Sequence, residues 1–353
     1  MSRLSSSESG FSLIELLVAT CIFLAITGIV ASALKQTMQS QSTVWNRTQM
    51  HSGVRGATEL MQQEVGQAGR ASTPAPIVTV DAIVGAGDGI CDPQNPGQFL
   101  PGPPVVPAGP THVSSVQGLY ASAGALPASY VLITTMDGPN RETTPVWAID
   151  NSVNPPTLTA CFNKNHPAGI TLMALGGFAN GIVPPAAPPT NFPNGSTGNV
   201  LKMFGDINGD GNMVYVEYTC DTAAGSTHKL YRNVMDFTSA TKPKLSDALV
   251  LLSNVQDNPG GAPCFTYQTD GSNPKIIVQG QPVVFVLDVA ITLTVQTQQK
   301  DPVTGQYQNE TKALLNVSPR NVFNAWQLAN SGFTDHIQST PATVSALLGM
   351  QPS

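Results

Sequence analysis

One stretch constrains this chain more than any other. From Phe11 to Leu34 there are 24 residues carrying a single charge, Glu15. A helix of that length crosses the hydrocarbon core of a bilayer. A carboxylate at such depth costs about 2.5–3.5 kcal/mol on insertion scales, so Glu15 has to be accounted for. A secretory signal peptide is one reading, because Ala31-Ser32-Ala33 supplies a small-x-small cleavage site. Against it, the leader MSRLSSSESG balances one Arg with one Glu, and Glu15 interrupts the apolar centre early. A passive anchor explains the length and leaves the carboxylate without a purpose. A helix that packs against other helices explains both, since a buried charge is tolerable once it is paired.

Beyond Leu34 the chain turns polar, with no Pro or Gly until Gly53. Ala31, Leu34, Met38, Trp45, Met50, Val54, Ala57, Leu60, Met61, Val65 and Ala68 recur mostly at three- or four-residue steps, a one-sided helical stripe. Core packing is the expected role of Trp45 and the methionines. Gly66, Gly69 and Pro74 close the pattern, so one stem helix is expected from 11 to 70, unbroken because no Pro precedes Pro74.

Residues 71–353 read as strands joined by turns. Runs at 130–135, 145–149, 157–162, 214–220, 249–255, 264–269, 283–298 and 311–317 have strand composition, and helical spacing returns only at 323–329. In NMVYVEYTC, residues 214, 216, 218 and 220 alternate with 215, 217 and 219, which predicts a half-buried strand with Glu217 outward. Asp137-Gly138, Asp270-Gly271 and Thr304-Gly305 are hairpin turn signals. The 32 Gly and 29 Pro point to many turns and long loops, and two loop-rich stretches, 71–115 and 176–199, are expected to be ordered coil over the head. The fold class expected is therefore α+β: a long N-terminal transmembrane helix followed by a β-rich antiparallel head with long loops.

Only 11% of residues are charged, and the net charge of −6 leaves no basic stripe for nucleic acid. Cys21 lies in the apolar run, whereas Cys91, Cys161, Cys220 and Cys264 are far apart and form no CxxC pair. Two disulfides in an oxidising compartment are the expectation, with three pairings open and free buried thiols the alternative. Asp206, Asn208, Asp210 and Glu217, with the Asn212 carbonyl, fit the calcium-loop pattern D-x-[DN]-x-[DN]-G-x5-E. A polar turn is the competing reading, because Asn208-Gly209 and Asp210-Gly211 are both strong turn dipeptides. Calcium is the single candidate cofactor, and no organic cofactor is expected. The five histidines are scattered, and no GxSxG, HExxH or phosphate-loop motif occurs, so no enzymatic role is expected.

Gly10-Phe11-Ser12-Leu13-Ile14-Glu15, ahead of the long apolar run, resembles the processing site of type IV prepilins and pseudopilins. The order of head features, VYVEYTC, HKLYRNV, LVLLSNVQ, CFTYQTDG, PVVFVLDVAITLTVQT and TKALLNVSPRNV, is similar to that of PilW-like minor pilins, relatives of the J-type pseudopilins. The resemblance implies cleavage after Gly10 by prepilin peptidase and N-methylation of Phe11. It also implies a register role for Glu15 against a neighbour's terminal ammonium. The divisions it implies are a leader at 1–10, a transmembrane and filament-core helix at 11–34, an amphipathic stem at 35–70 and a head at 71–353. Its implied partners are prepilin peptidase, other major and minor pilins, and the inner-membrane assembly platform. The subunit would sit in the inner membrane with its head in the periplasm, and in a pilus or pseudopilus after assembly. The alternatives are a J-type type II secretion pseudopilin, and a secreted binding or adhesion protein cut after Ala33.

Overall fold

The computed structural model describes residue 10 and residues 12–85, 110–119, 131–223, 225–271, 276–278 and 281–351. The chain divides into two units, residues 1–52 with 296–310, and residues 53–295 with 311–353.

In the first unit, helix α1 (Leu13–Gln67) begins at Ser12, whose carbonyl accepts the Leu16 N–H at 3.2 Å. The helix runs without interruption past Ser52 into the second unit. Trp45 and Met38 are 71% and 69% exposed, so the expected core role fails for both. The stripe is buried only from Val54 onward. Residues 296–310 form the far end of a strand pair and lie along the helix. Arg47 Nε donates to Gln308 Oε1, and His51 pairs with Glu310. The turn inside this end is organised by the buried Asp301, which accepts the Val303 and Thr304 N–H groups at 2.8 and 3.0 Å and Gln308 Nε2 at 2.8 Å.

The second unit is a β-rich head, and its main sheet has six strands. They are β1 (Ile77–Val78), β2 (Thr111–His112), β3 (Leu132–Thr135), β4 (Thr143–Asp150), β5 (Thr157–Ala160) and β6 (Thr171–Met173), in spatial order β1-β6-β3-β4-β5-β2 with antiparallel pairing. The Asp137-Gly138 turn links β3 to β4 as expected. Strand β7 (Gly177–Phe178) opens the 176–199 stretch, which packs Phe178, Ala179, Ile182 and Val183 into the interior.

A second antiparallel sheet joins β8 (Val200–Gly205), β9 (Val214–Asp221), β10 (Lys229–Asp236) and β11 (Val250–Ser253). Its register explains why β9 is buried on both faces instead of one. Tyr218 lies opposite Leu201 and Arg232, and this face meets the buried stretch of α1. Tyr215 lies opposite Phe204 and Met235, and all three join the core cluster built on the six-stranded sheet. Glu217 shares the Tyr215 face, so it is buried where an outward position was expected.

The third sheet contains β12 (Val255–Gln256), β13 (Phe265–Thr269), β16 (Val286–Gln296) and β17 (Asn309–Val317). Strands β14 (Ile276–Val278) and β15 (Gln281–Val283) form a separate pair. The Cys220–Cys264 disulfide ties β9 to the start of β13, and Cys161 is also disulfide-bonded. Cys91 lies outside the described residues. Helix α2 (Arg320–Asn330) follows Pro319 and buries Val322, Ala325 and Ala329, an i, i+3, i+7 face. It contains the expected 323–329 segment and stops at Ser331-Gly332, where Gly332 has φ +84°. Strand β18 (Ile337–Gln338) pairs with β7 in parallel, and helix α3 (Ala342–Gly349) adds Val344 and Leu347 to the main core.

Buried polar clusters hold the head, and two of them stand out. Glu64, on the inner face of α1, accepts the Tyr218 hydroxyl at 2.5 Å. Arg232 Nε reaches both Glu64 oxygens at 3.1 and 3.2 Å, with Nη2 also bonded. Burial raises the Tyr218 hydroxyl pKa, and the Glu64 charge raises it further, so it remains a donor at every physiological pH. In the second cluster the fully buried His166 ring lies between Asp137 at 2.6 Å and Glu142 at 2.7 Å. The end of α1 is equally close-fitted. Gly69 takes φ +79°, its N–H donates to the Phe204 carbonyl at 2.9 Å, and a Cβ on Gly181 would fall 2.1 Å from Gly69 Cα.

Removing one member of a buried ion pair leaves an uncompensated charge. Arg232→Leu is expected to destabilise the head by about 3–5 kcal/mol, read by chemical denaturation of the full chain in detergent. Glu64→Gln with Arg232→Leu should recover part of that loss. A second expectation concerns acid. The Thr304 and Val303 N–H bonds hold the Asp301 carboxyl below its ordinary pKa. A depressed carboxyl contributes stability above the unfolded value of about 3.9 and loses it as pH falls through the folded value. The Val303 and Thr304 amide resonances should therefore titrate below about pH 4 in the native chain and stay flat in Asp301→Asn.

Candidate functional site

The N-terminal signature falls at a helix start. Gly10 is exposed, in coil, and a Cβ added there would meet nothing within 4 Å. Phe11, the expected methylation site, lies outside the described residues. Ser12 N–H donates to Glu15 Oε2 at 3.1 Å. Glu15 is thus the third helical residue, reaching back to satisfy an N–H that the helix cannot, where the helix dipole also favours a negative charge. Ser12-x-x-Glu15 is half of a capping box, a local role the sequence reading did not assign. An isolated chain therefore gives Glu15 a partner of its own, at the exposed end of the span.

The span has no preferred side. Leu13, Ile14, Leu16, Leu17, Ile22, Phe23, Leu24, Ile26, Ile29 and Leu34 are each more than half exposed, and they occur all around the helix. Its hydroxyls are turned inward to the helix itself. Thr20 donates to the Leu17 carbonyl at 2.9 Å, Thr27 to Phe23 at 2.7 Å and Ser32 to Ile29 at 3.0 Å. Hydrocarbon offers no hydrogen-bond partner, so this internal satisfaction is what a lipid-facing helix requires. By length and composition α1 is able to cross a membrane. Residues 31–33, the alternative cleavage site, lie inside this continuous helix.

The second candidate is the turn between β8 and β9. Asp206 is fully buried, and neither carboxylate oxygen has a hydrogen-bond partner. Arg70 Nε stands 3.5 Å away, and Asp206 N–H donates to the Arg70 carbonyl at 2.9 Å. Asp210 Oδ1 accepts the Asn212 N–H at 2.9 Å, a local Asx turn. Asn208, Asp210 and Asn212 are exposed. Gly209 and Gly211 take φ +72° and +85°, and a Cβ on Gly211 would clash with Pro74 Cα at 2.6 Å.

Glu217 takes no part in this turn. It accepts the Tyr215 hydroxyl at 2.8 Å and the Lys242 ammonium at 2.9 Å, and Lys242 is 2% exposed. Burial raises the Tyr215 hydroxyl pKa, and the Glu217 charge raises it further, so Tyr215 also stays protonated. Among the described residues, no group of three or more His, Cys, Asp or Glu could hold a metal ion. Two of the chain's own cations, Arg70 and Lys242, face the two buried carboxylates of the motif instead.

The sequence reading missed the residues that do the electrostatic work of the head: Glu64, Arg232, Lys242 and His166. The only signal was a carboxylate on the apolar stripe of α1, Glu64 one residue before Val65. His166 has both ring nitrogens hydrogen-bonded to carboxylates, Asp137 and Glu142. A scan against known protein families, a search of curated proteins and a search of solved structures each find no match to this chain.

If Lys242 and Arg70 serve these carboxylates, the melting temperature of the full chain in detergent should be the same in millimolar calcium and in chelator. A calcium-dependent rise of several degrees would require Glu217 to exchange Lys242 for the ion.

Proposed function

We propose that this chain is a minor type IV pilin: a non-enzymatic subunit that prepilin peptidase processes after Gly10 and that primes, caps or assists assembly of the filament. The observation that carries the reading is the coincidence at one helix start. An accessible glycine precedes Phe11, a Ser-Leu-Ile-Glu helix start follows, and the helix is apolar all round for two dozen residues.

The physical logic lies in Glu15. In the single chain its carboxylate caps Ser12. After cleavage, Phe11 would carry a new α-amino group, four residues before Glu15. A neighbouring helix shifted along the axis brings its own ammonium to this carboxylate. Exchanging one backbone N–H for an ammonium strengthens the pairing, because two opposite unit charges then attract in addition to the hydrogen bond. The subunit would enter the inner membrane singly, head in the periplasm, and leave it as the assembly platform adds it to other pilins.

Within the class, a large head favours a low-copy subunit over a major pilin, and a J-type pseudopilin is the nearest alternative. A secreted binding protein cut after Ala33 would lose the whole apolar span. It would also require a peptidase to open a helix that is continuous from Leu13 to Gln67.

Mass spectrometry of the mature protein should find methyl-Phe11 at the N-terminus, and a mature chain beginning at Leu34 would overturn the proposal. Glu15→Ala should still insert into membranes, because it removes the one charge from the span, yet be lost from sheared filaments. Normal incorporation would remove the register role.

A further inference from the structure

The strand-pair end at residues 296–310 has a surface that the assembly reading does not use. Its contacts on α1 are ordered along the helix axis. Glu310 meets His51, and Gln308 meets Arg47. Asp301 lies by Thr43, and Pro302 shares a groove with Ala31, Leu34, Lys35 and Met38. The tip therefore points toward the apolar end of the helix. The apolar run finishes at Leu34, and Lys35 is the first cation after it. Pro302 lines the same groove as the two residues at that boundary, Leu34 and Lys35.

The chemistry exposed at the tip is selective. Both of its carboxylates are already engaged: Asp301 is buried under the Val303 and Thr304 N–H groups, and Glu310 is paired with His51. What faces outward is Lys300, whose ammonium lies 5.6 Å from the Tyr307 ring centroid, together with Val303 at 71% exposure and Tyr307 at 44%. An ammonium, an amphipathic aromatic and an exposed aliphatic side chain at one level match the headgroup layer of a bilayer. Tyr concentrates there, and Lys pairs with lipid phosphate there.

We infer that the 300–307 tip is an interfacial foot. While the subunit waits in the membrane, the tip rests in the headgroup layer beside the emerging helix, with Lys300 and Lys35 on anionic lipid phosphates. The inference rests on the reading that residues 11–34 span a membrane. It adds a second lipid contact, made by a segment that begins 266 residues after Leu34. Because the foot lies on the same unit as the span, leaving the membrane for a filament would require its release from lipid.

Full-length protein in vesicles of phosphatidylethanolamine and phosphatidylglycerol tests this with two reporters. Cys21 is free and exposed in the span, so a fluorophore there reports insertion through acyl-chain nitroxide quenching. A fluorophore on Val303→Cys in a Cys21→Ser chain reports the foot through headgroup nitroxide quenching. Both labels should be quenched. The Val303 signal should fall in Lys300→Glu, persist in Lys300→Arg, and weaken when phosphatidylcholine replaces phosphatidylglycerol. Quenching at Cys21 without quenching at Val303 would overturn the foot and leave the spanning reading intact. Absence of quenching at both would overturn the two together. Val303 quenching indifferent to Lys300→Glu and to lipid charge would overturn recognition of phosphate by the cation.

Discussion

A single carboxylate on the inner face of α1 sets the terms for the head. Glu64 is 5% exposed, and a bare charge there would be prohibitively expensive. It is satisfied because β9 and β10 place Tyr218 and Arg232 directly opposite one another, on the same face of the same sheet. Two residues separated by a turn thus converge on a third more than 150 positions earlier. That convergence requires the helix to arrive in one rotation and the hairpin in one register, since a one-residue slip would turn both donors away. Apolar burial of Val54, Ala57, Met61 and Val65 drives the association, and the charge cluster makes it specific.

The other end of the same helix solves a different problem. In water, α1 before Leu34 would be an aggregation hazard, an apolar cylinder without a preferred side. In lipid, its backbone bonds are internal, and its Thr and Ser hydroxyls donate to its own carbonyls. The one group left over is Glu15, and it sits at the first turn, where the N–H groups and the helix dipole are best placed to hold it. A residue that is a liability in the middle of a span becomes an asset at its start.

The Asp206 turn shows where sequence pattern and tertiary structure part. Spacing alone allows Asp206, Asp210 and Glu217 to converge on one ion, and the turn glycines do take the left-handed conformations that such a loop demands. The strand after the turn decides where Glu217 points. Because β9 is covered on both faces, by α1 on one and by the main core on the other, Glu217 points into the protein and meets Lys242. Period-2 alternation fixes which residues share a face and says nothing of what covers that face. Trp45 and Met38 miss for the mirror-image reason. Their spacing continues the buried stripe, but an apolar stripe specifies a partner only where one is supplied, and the head supplies one only from Val54 onward.

What the sequence determined by itself is local. The apolar run, its length, the polar change after Leu34, the end of α1 near Gly69, the strand runs and the turn dipeptides all depend on neighbours within about one turn or one hairpin. They were legible because helix and strand periods, and the backbone demands of Gly and Pro, are local quantities. The tertiary structure alone decided which cysteines pair, that Glu64 is shared by Tyr218 and Arg232, that His166 lies between two carboxylates, and that residues 296–310 reach α1. Each depends on contacts between distant segments, which are set by register and by which faces meet. No window of the chain contains that information.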